Sequence, residues 1–421
     1  MKKILFIILL TIPFIVFGQG WEQTYGYGSS EAGHSVKQTN DGGYIITGFT
    51  MSIGNGSQDV WLIKTDSNGN ELWSQTYGTF GEEYGHSVQQ TNDGGYIITG
   101  KYNSGGFGDF GLIKTDQLGN ELWTKTYGPG EGHSVEQTND GGYIISGLGG
   151  AGFCLIKTDI NGDSIWSKTI PNPMNSYNIS YSVKQTNDGG YISTGRFNDN
   201  LLLIKIDGNG NELWSQNYGG NLWDEGRSVH QTSDGGYIIT GGTSTFSNNG
   251  LGLKDPWLIK TDSFGNELWS QVFSSSIGGL TGTGYSVQPT IDGGYILCSN
   301  QSSDPLIKTN VSGTIDWTLT TLDLLNIDPN SSYLFHEVIQ TSDGGFVVTG
   351  SKGFPYSDTF LIKLDSQGNI TSTFEIPLPK PDRKLEKTVN IIGQEVKPQT
   401  NQPVIEIFDD GSTQKKLIIE K

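Results

Sequence analysis

The stretch Asn92-Asp93-Gly94-Gly95-Tyr96-Ile97-Ile98-Thr99-Gly100 belongs to a phrase that this chain repeats seven times. Its core is Asp-Gly-Gly-Tyr, with Phe replacing Tyr in the last copy, and the aspartates are Asp41, Asp93, Asp140, Asp188, Asp234, Asp292 and Asp343. Their spacings of 52, 47, 48, 46, 58 and 51 residues are those of a repeat architecture. Around the second copy four strands are legible: A at about 86–91, B at about 95–100, C at about 110–116 and D at about 121–127. Asn-Asp-Gly-Gly between A and B is a hairpin signal, because Gly takes positive φ without a Cβ clash. In the first copy Asn68-Gly69 does the same between C and D. Four antiparallel strands per period make a propeller blade. Both faces of a stacked blade are buried, which fits apolar runs such as Tyr44-Ile45-Ile46. The expectation is an all-β, seven-bladed β-propeller with four-stranded antiparallel blades.

Ring closure is also legible. Strand D carries Trp-x-x-Thr-Tyr-Gly at Trp73 to Gly78 and Trp123 to Gly128, and the same pattern opens the chain at Trp21 to Gly26. The seventh copy lacks that Trp after Leu361-Ile362-Lys363-Leu364-Asp365. Residues 21–26 are therefore expected to be strand D of blade seven, paired with 360–365; the rival arrangement puts 370–376 there. With Asn68-Gly69 as the turn, Asp66 faces Glu71 and Lys64 faces Trp73. The lysine recurs at Lys114, Lys157, Lys205, Lys260, Lys308 and Lys363. The register suggests an ammonium over an indole, worth about 0.5–2 kcal/mol, and places Trp21 over Lys363.

The composition bounds the rest. Of 421 residues, 34% are hydrophobic and 61 are Gly, which suits many short strands and tight turns. Residues 1–18 read as an export signal. Lys2 and Lys3 precede the apolar stretch Ile4 to Phe17, cleavage is expected before Gln19, and no Cys stands at that cut. No further apolar run follows, so no transmembrane segment is expected in the mature chain. Cys154 and Cys298 fall in repeats three and six, too far apart in a ring to bridge, and are expected to be free thiols. A net charge of −18 with three arginines argues against nucleic-acid or anionic-membrane partners.

In such a ring the B–C and D–A connections share one face, and they vary far more than the A–B and C–D turns. The longest are Ser244 to Pro256, Pro171–Ser180, Ser274–Gly284 and Thr321–Tyr333. Binding usually resides on variable loops held by a rigid scaffold, so this is the candidate ligand face. The start of strand A lies there too, near the channel, and its column reads His34, His86, His133, Tyr181, Arg227, Tyr285, His336. Four histidines in one column invite a metal or anion site. Three other residue types, and no repeating carboxylate, favour an inter-blade packing column, so no metal is assigned. Trp223, in the D–A connection before blade five, could stack on a sugar or peptide. The Asp66-Ser-Asn-Gly-Asn-Glu71 loops have the oxygen content of a calcium site, but turn chemistry alone explains Asp and Asn there. No cofactor is expected. No catalytic motif is found and no catalytic residue is assigned.

Gly-Tyr-Ile-Ile-Thr-Gly with a distal Trp resembles the kelch repeat. Thr65-Asp66-Ser67-Asn68-Gly69-Asn70-Glu71-Leu72-Trp73 resembles the tryptophan-docking repeat of quinoprotein dehydrogenases, with Asp-to-Gly one residue shorter. It is also similar to the sialidase Asp-box, with Gly-to-Trp one residue longer, but only Arg196 and Arg227 lie within the ring where sialidases use an arginine triad. These likenesses span roughly 21–366 and imply a fold, not a reaction. After Pro377-Leu-Pro-Lys-Pro381 the repeat stops. The tail, with Gly393, Glu395, Asp410, Gly411, Lys415 and Lys416, resembles the C-terminal sorting domain of type IX secretion substrates in Bacteroidota, without the usual Tyr-Pro-Asn-Pro opening. That resemblance implies the secretion machinery as a partner of the tail, and release or attachment at the outer cell surface.

The expected organisation is a signal peptide at 1–18, a propeller at 19–376, a linker at 377–383 and a sorting domain at 384–421. The expected function is a secreted or cell-surface, monomeric, non-enzymatic propeller that binds glycan or protein through the B–C/D–A face. The alternatives are a secreted glycan-active enzyme with its site at the channel mouth, or a structural surface protein.

Overall fold

A computed structural model describes residues 20–102, 108–171, 178–247, 253–274, 282–300, 304–329, 331–353 and 355–370, and in the tail 385–389, 397, 403–408 and 413–417. The chain divides into two compact units, Met1–Ser372 and Thr373–Lys421. In the first, blade one comprises Glu31–Gln38, Tyr44–Thr50, Asp59–Thr65 and Glu71–Tyr77 as strands A to D. The pattern repeats to blade seven, whose strands A to C are Tyr333–Gln340, Phe346–Lys352 and Asp358–Leu364. Blades two and three form one seven-stranded sheet, because strand Glu121–Gln137 runs unbroken from strand D of one into strand A of the next. No separate loop exists at that D–A junction. The D–A connection after blade six holds a short helix, Thr321–Ile327, capped reciprocally by Thr320 and Asp323; no helix was expected there.

Strand D of blade seven is Trp21–Tyr25, antiparallel to Asp358–Leu364, with Trp21 opposite Lys363 and Tyr25 opposite Thr359. Closure is as the sequence predicts. Strands B and C are buried along nearly their whole length, as in Asp59–Thr65. Each such Ile, Leu or Val removed from water contributes about 1.5–3 kcal/mol.

The repeated phrase makes a self-contained turn. Asp41 Oδ1 accepts from the Thr39 hydroxyl (2.5 Å) and the Gly43 amide (3.0 Å), and Gly42 sits at φ +83°. In the C–D turn, Asp66 Oδ1 accepts from the Asn68 and Asn70 amides and Oδ2 from the Asn70 side chain. These oxygens satisfy the turn, which is the chemistry of an Asx-type loop. Asp66 does not face Glu71. Thr65 does, because Leu72 is an extra residue between the Lys64–Trp73 and Thr65–Glu71 pairs.

The lysine expectation fails in an instructive way. Lys64 is indeed opposite Trp73, but its ammonium reaches the repeated aspartate instead. All seven lysines do this, at 2.8–3.0 Å, from Lys64–Asp41 to Lys363–Asp343. Each is buried, and a buried ammonium requires a charge partner that an indole face does not replace.

The tryptophans instead join blades. Trp21 packs edge-on against Tyr44 of the next blade, with ring centroids 5.9 Å apart. Trp73–Tyr96, Trp123–Tyr143, Trp166–Tyr191, Trp214–Tyr237, Trp269–Tyr295 and Trp317–Phe346 continue the contact around the ring. Each Trp also lies on the next blade's C–D turn glycine. A Cβ at Gly69 would meet the Trp21 ring at 2.3 Å, and φ there is +77°. Gly42 has a similar φ but nothing within 4 Å. Gly69→Ala should therefore cost about 2–3 kcal/mol, strain plus displacement of the indole, while Gly42→Ala costs only the conformational strain of about 1 kcal/mol. Equal shifts in melting temperature for the two variants would contradict this docking.

An amide relay reinforces the seams. The backbone N–H of Asn40 donates to Gln90 of the next blade at 2.9 Å, and five further seams repeat the bond. Between blades five and six Pro289 occupies the glutamine position, so the relay has no acceptor there. Cys154 and Cys298 are both free and buried.

The second unit contains a three-stranded antiparallel sheet of Leu385–Val389, Pro403–Phe408 and Thr413–Leu417. Lys415 and Lys416 lie on its last strand. Gly393, Glu395, Asp410, Gly411 and the expected signal segment 1–18 lie outside the described residues.

Candidate functional site at the channel mouth

Every strand A carries a β-bulge, and the extra residue is always the member of the predicted column. In blade one the pairing jumps from Gly33 to Ser35 and leaves His34 unpaired. The same happens at His86, His133, Tyr181, Arg227, Tyr285 and His336. A bulge re-aims a side chain without breaking the ladder. All seven column side chains line a cavity of about 360 Å³ at the centre of the ring.

They form a closed belt. His34 stacks on His86 (5.0 Å, 12° between planes), His86 meets His133 (5.0 Å), and His133 meets Tyr181 (5.3 Å). The Arg227 guanidinium lies 3.8 Å from the Tyr181 ring centre and 5.3 Å from that of Tyr285. Tyr285 meets His336 (5.9 Å), which meets His34 (5.1 Å). Two histidines are tied to the neighbouring blade: His34 Nδ1 to Gly85 O (3.0 Å) and His336 Nδ1 to Gly33 O (2.9 Å). His86 differs, with Nε2 against a carboxylate oxygen of Glu131. His133 Nε2 is buried without a hydrogen-bond partner.

Burial, and then the nearby His86, lower His133 to about 3, so it is neutral at physiological pH. For Glu131, burial works to raise the pKa, but the hydrogen bond from His86 and its charge win and hold it at about 2. Burial likewise opposes ionisation of Glu225, and the positive charges of Arg227 and Lys254 overcome it and lower its pKa. Below the belt, serine hydroxyls bridge blades; Val88 N, for example, donates to Ser35 Oγ. At blade seven Glu337 takes the serine position and accepts from Val36 N, Ser35 and Lys37.

Outward from Arg227, the mouth connects with Trp223. Glu225 accepts from Arg227 (3.0 Å) and Lys254 (2.8 Å). Lys254 lies 5.4 Å and Arg196 4.8 Å from the Trp223 ring centre. The D–A segment carrying Leu222 and Trp223 is bonded to the start of the blade-five B–C connection through Ser244 N to Trp223 O and Leu222 N to Thr245 Oγ1. Leu222, Trp223, Phe246 and Leu253 are all exposed.

The structure thus brings together all seven column residues, and Trp223 joins them through Arg227, Glu225 and Lys254. Sequence reasoning missed Glu131, Glu225 and Glu337. Glu131 and Glu225 stand two residues before the column, where the other blades have Ala32, Tyr84, Ile179, Thr283 and Leu334, so no repeat signal marks them.

No family model matches this chain, and no curated protein matches it. Among solved structures it is similar to the WD40 domain of Pan2 from Neurospora crassa, with TM-score 0.51 and 11% identity over 81% of this chain and 97% of that one. The fold is a β-propeller. Two further propeller structures agree. The C-terminal WD40 domain of Sif2 has TM-score 0.50 and 10% identity over 81% and 98% of the two chains. Sqt1 from Chaetomium thermophilum, solved bound to the N-terminus of the ribosomal protein L10, has TM-score 0.50 and 9% identity over 81% and 98%. At these identities the likeness concerns architecture.

Proposed function

We propose that the protein is an exported, non-enzymatic propeller that binds a protein partner through the B–C/D–A face, with the docking centre at blades four and five. One observation carries this reading: Leu222, Trp223, Phe246 and Leu253 are exposed together on joined segments, edged by Arg196 and Lys254 against the indole. Exposed tryptophan, with Tyr and Arg, is among the usual anchors of protein interfaces. The exposed apolar side chains around the Trp223 indole suit a peptide segment carrying apolar residues. Sqt1, similar in fold alone, is bound to a chain terminus.

Glu131 and Glu225 are poorly suited to act as the general acid of glycoside hydrolysis. That reaction needs a carboxylic acid still protonated near its working pH, whereas Glu131 and Glu225 are both held ionised. Export is supported by the signal-like residues 1–18 and by the tail's resemblance to type IX sorting domains. Delivery to the medium or the outer cell surface follows from that reading, and detecting the protein only in cytosolic fractions would contradict it.

The binding reading is tested by probing peptide and glycan arrays with the full chain and with Trp223→Ala. The expected result is peptide hits rich in aliphatic and aromatic residues, weakened about 30-fold by the substitution, as for a hot-spot tryptophan of about 2 kcal/mol. Binding to sugars alone would reassign the ligand class, and binding to neither would end the proposal.

A further inference from the structure

We propose that His86, Glu131 and His133 bind one divalent transition-metal ion, zinc foremost, at the channel mouth. The site lies on the arc of the belt formed by blades two and three, and it stands independently of the docking surface at blades four and five. Its ligand atoms, one per residue, all lie within 4.8 Å of one another. Zinc holds His nitrogen at about 2.0–2.1 Å and carboxylate oxygen at about 2.0–2.2 Å, a geometry these side chains reach by modest rotation.

The second observation is the orphan nitrogen. His133 Nε2 is buried and has no hydrogen-bond partner. Buried polar atoms are nearly always satisfied, and each exception asks for an explanation such as an ion. Packing alone does not require a nitrogen there: the column holds tyrosine at Tyr181 and Tyr285, so a ring without that donor or acceptor serves the belt equally well. The histidine therefore adds something that the stacking role leaves unused. His34 and His336 spend a nitrogen on the neighbouring blade's backbone, while His86 turns Nε2 to Glu131.

The donor set also selects the metal class. Two imidazoles and one carboxylate suit zinc and its first-row neighbours rather than calcium or magnesium, which favour all-oxygen shells. The side chains of His86 and Glu131 are 20% and 31% exposed, so an ion can enter from the channel. Three protein ligands leave a fourth position toward the cavity for water or an anionic group of a ligand. Because His86 is in blade two while Glu131 and His133 are in blade three, the ion would also clamp that seam.

The test uses the tag-free full chain, stripped with chelator, and titrates ZnCl₂ by calorimetry and CoCl₂ by visible absorption. One zinc per chain is expected, with cobalt bands of nitrogen–oxygen coordination. His133→Tyr reproduces the residue that blades four and six already carry and so preserves the belt. It should weaken zinc binding at least 10-fold, as should Glu131→Gln, while His34→Tyr leaves it within about twofold. Thermal melts of the metal-free variants check that they fold. If His133→Tyr does not, Glu131→Gln carries the same test. No stoichiometric zinc binding, unchanged affinity in a folded ligand variant, or an equal loss in His34→Tyr would overturn the site.

Discussion

Deleting residues 19–26 is expected to abolish the cooperative thermal transition, or to lower its midpoint by more than about 10 °C. The deletion removes the whole of strand D of blade seven, so Asp358–Leu364 becomes an open edge. Thr359 to Lys363, now buried, lose their cover on that side. The seam to blade one loses Trp21 from Tyr44 and Gly69, and the Tyr25 hydroxyl from Gly69 O. A latch goes with them: Glu22 accepts from Lys352 (2.6 Å) and Tyr333 (3.0 Å), which ties the first strand to strands A and B of the last blade. Trp21→Ala alone should cost about 2–4 kcal/mol, toward the lower end for a Trp→Ala change because the indole is only half-buried. A synthetic peptide of residues 19–28 should restore part of the lost stability to the deleted chain. A deleted chain that melts like the parent would show that closure at this seam is dispensable.

Acid should unfold the ring most steeply between pH 4 and pH 2. Asp41, Asp188, Asp234 and Asp292 have pKa values lowered to about 2. Asp93, Asp140 and Asp343 shift the same way. Partial burial pushes each upward, but the bonds from the repeated Thr hydroxyl, the Lys ammonium and the Gly amide outweigh it. A folded-state pKa below the unfolded value of about 3.9 means that the unfolded chain binds protons first as pH falls. The stabilisation is therefore complete above about pH 4 and is lost as pH falls through about 2. Each aspartate is largely solvent-facing, so each contribution is modest, but seven of one sign act together. His34, His133, His230 and His336, kept neutral chiefly by burial, add a further loss that begins near pH 6.5 as pH falls. Asp343→Ala should then destabilise by about 1–2 kcal/mol, since it strands the buried ammonium of Lys363, whereas Lys363→Met should stay within about 1 kcal/mol. Melting temperatures from pH 8 to pH 2 check the first expectation. A profile flat down to pH 2 would refute it.

The aspartate, glycine and tryptophan positions were legible because each answers a local requirement that recurs in every blade. Gly42 must adopt positive φ, Asp41 must accept from the amide two residues on, and Trp21 had to find a third strand because the seventh copy lacks its own. The lysine was misread for a physical reason. Register fixes which residues stand opposite, but a four-carbon stem lets Nζ travel from Trp73 to Asp41, and only desolvation decides between them. Column membership was legible; the chemistry within the belt was not. Glu131 occupies a position with no repeat, and its relation to His86 crosses a blade boundary 45 residues apart. The separation of the long Glu121–Gln137 strand into two blades was visible only through the period, because Gly128-Pro129-Gly130 continues the strand instead of breaking it.

The unpaired residue in every inner strand has an evolutionary corollary. Because His34 and its six counterparts stand outside the ladder register, exchanging one leaves the sheet's hydrogen bonds untouched. The rim of the pore therefore offers seven positions where a side chain can change without disturbing a ladder, each coupled to its neighbours through the ring contacts of the belt.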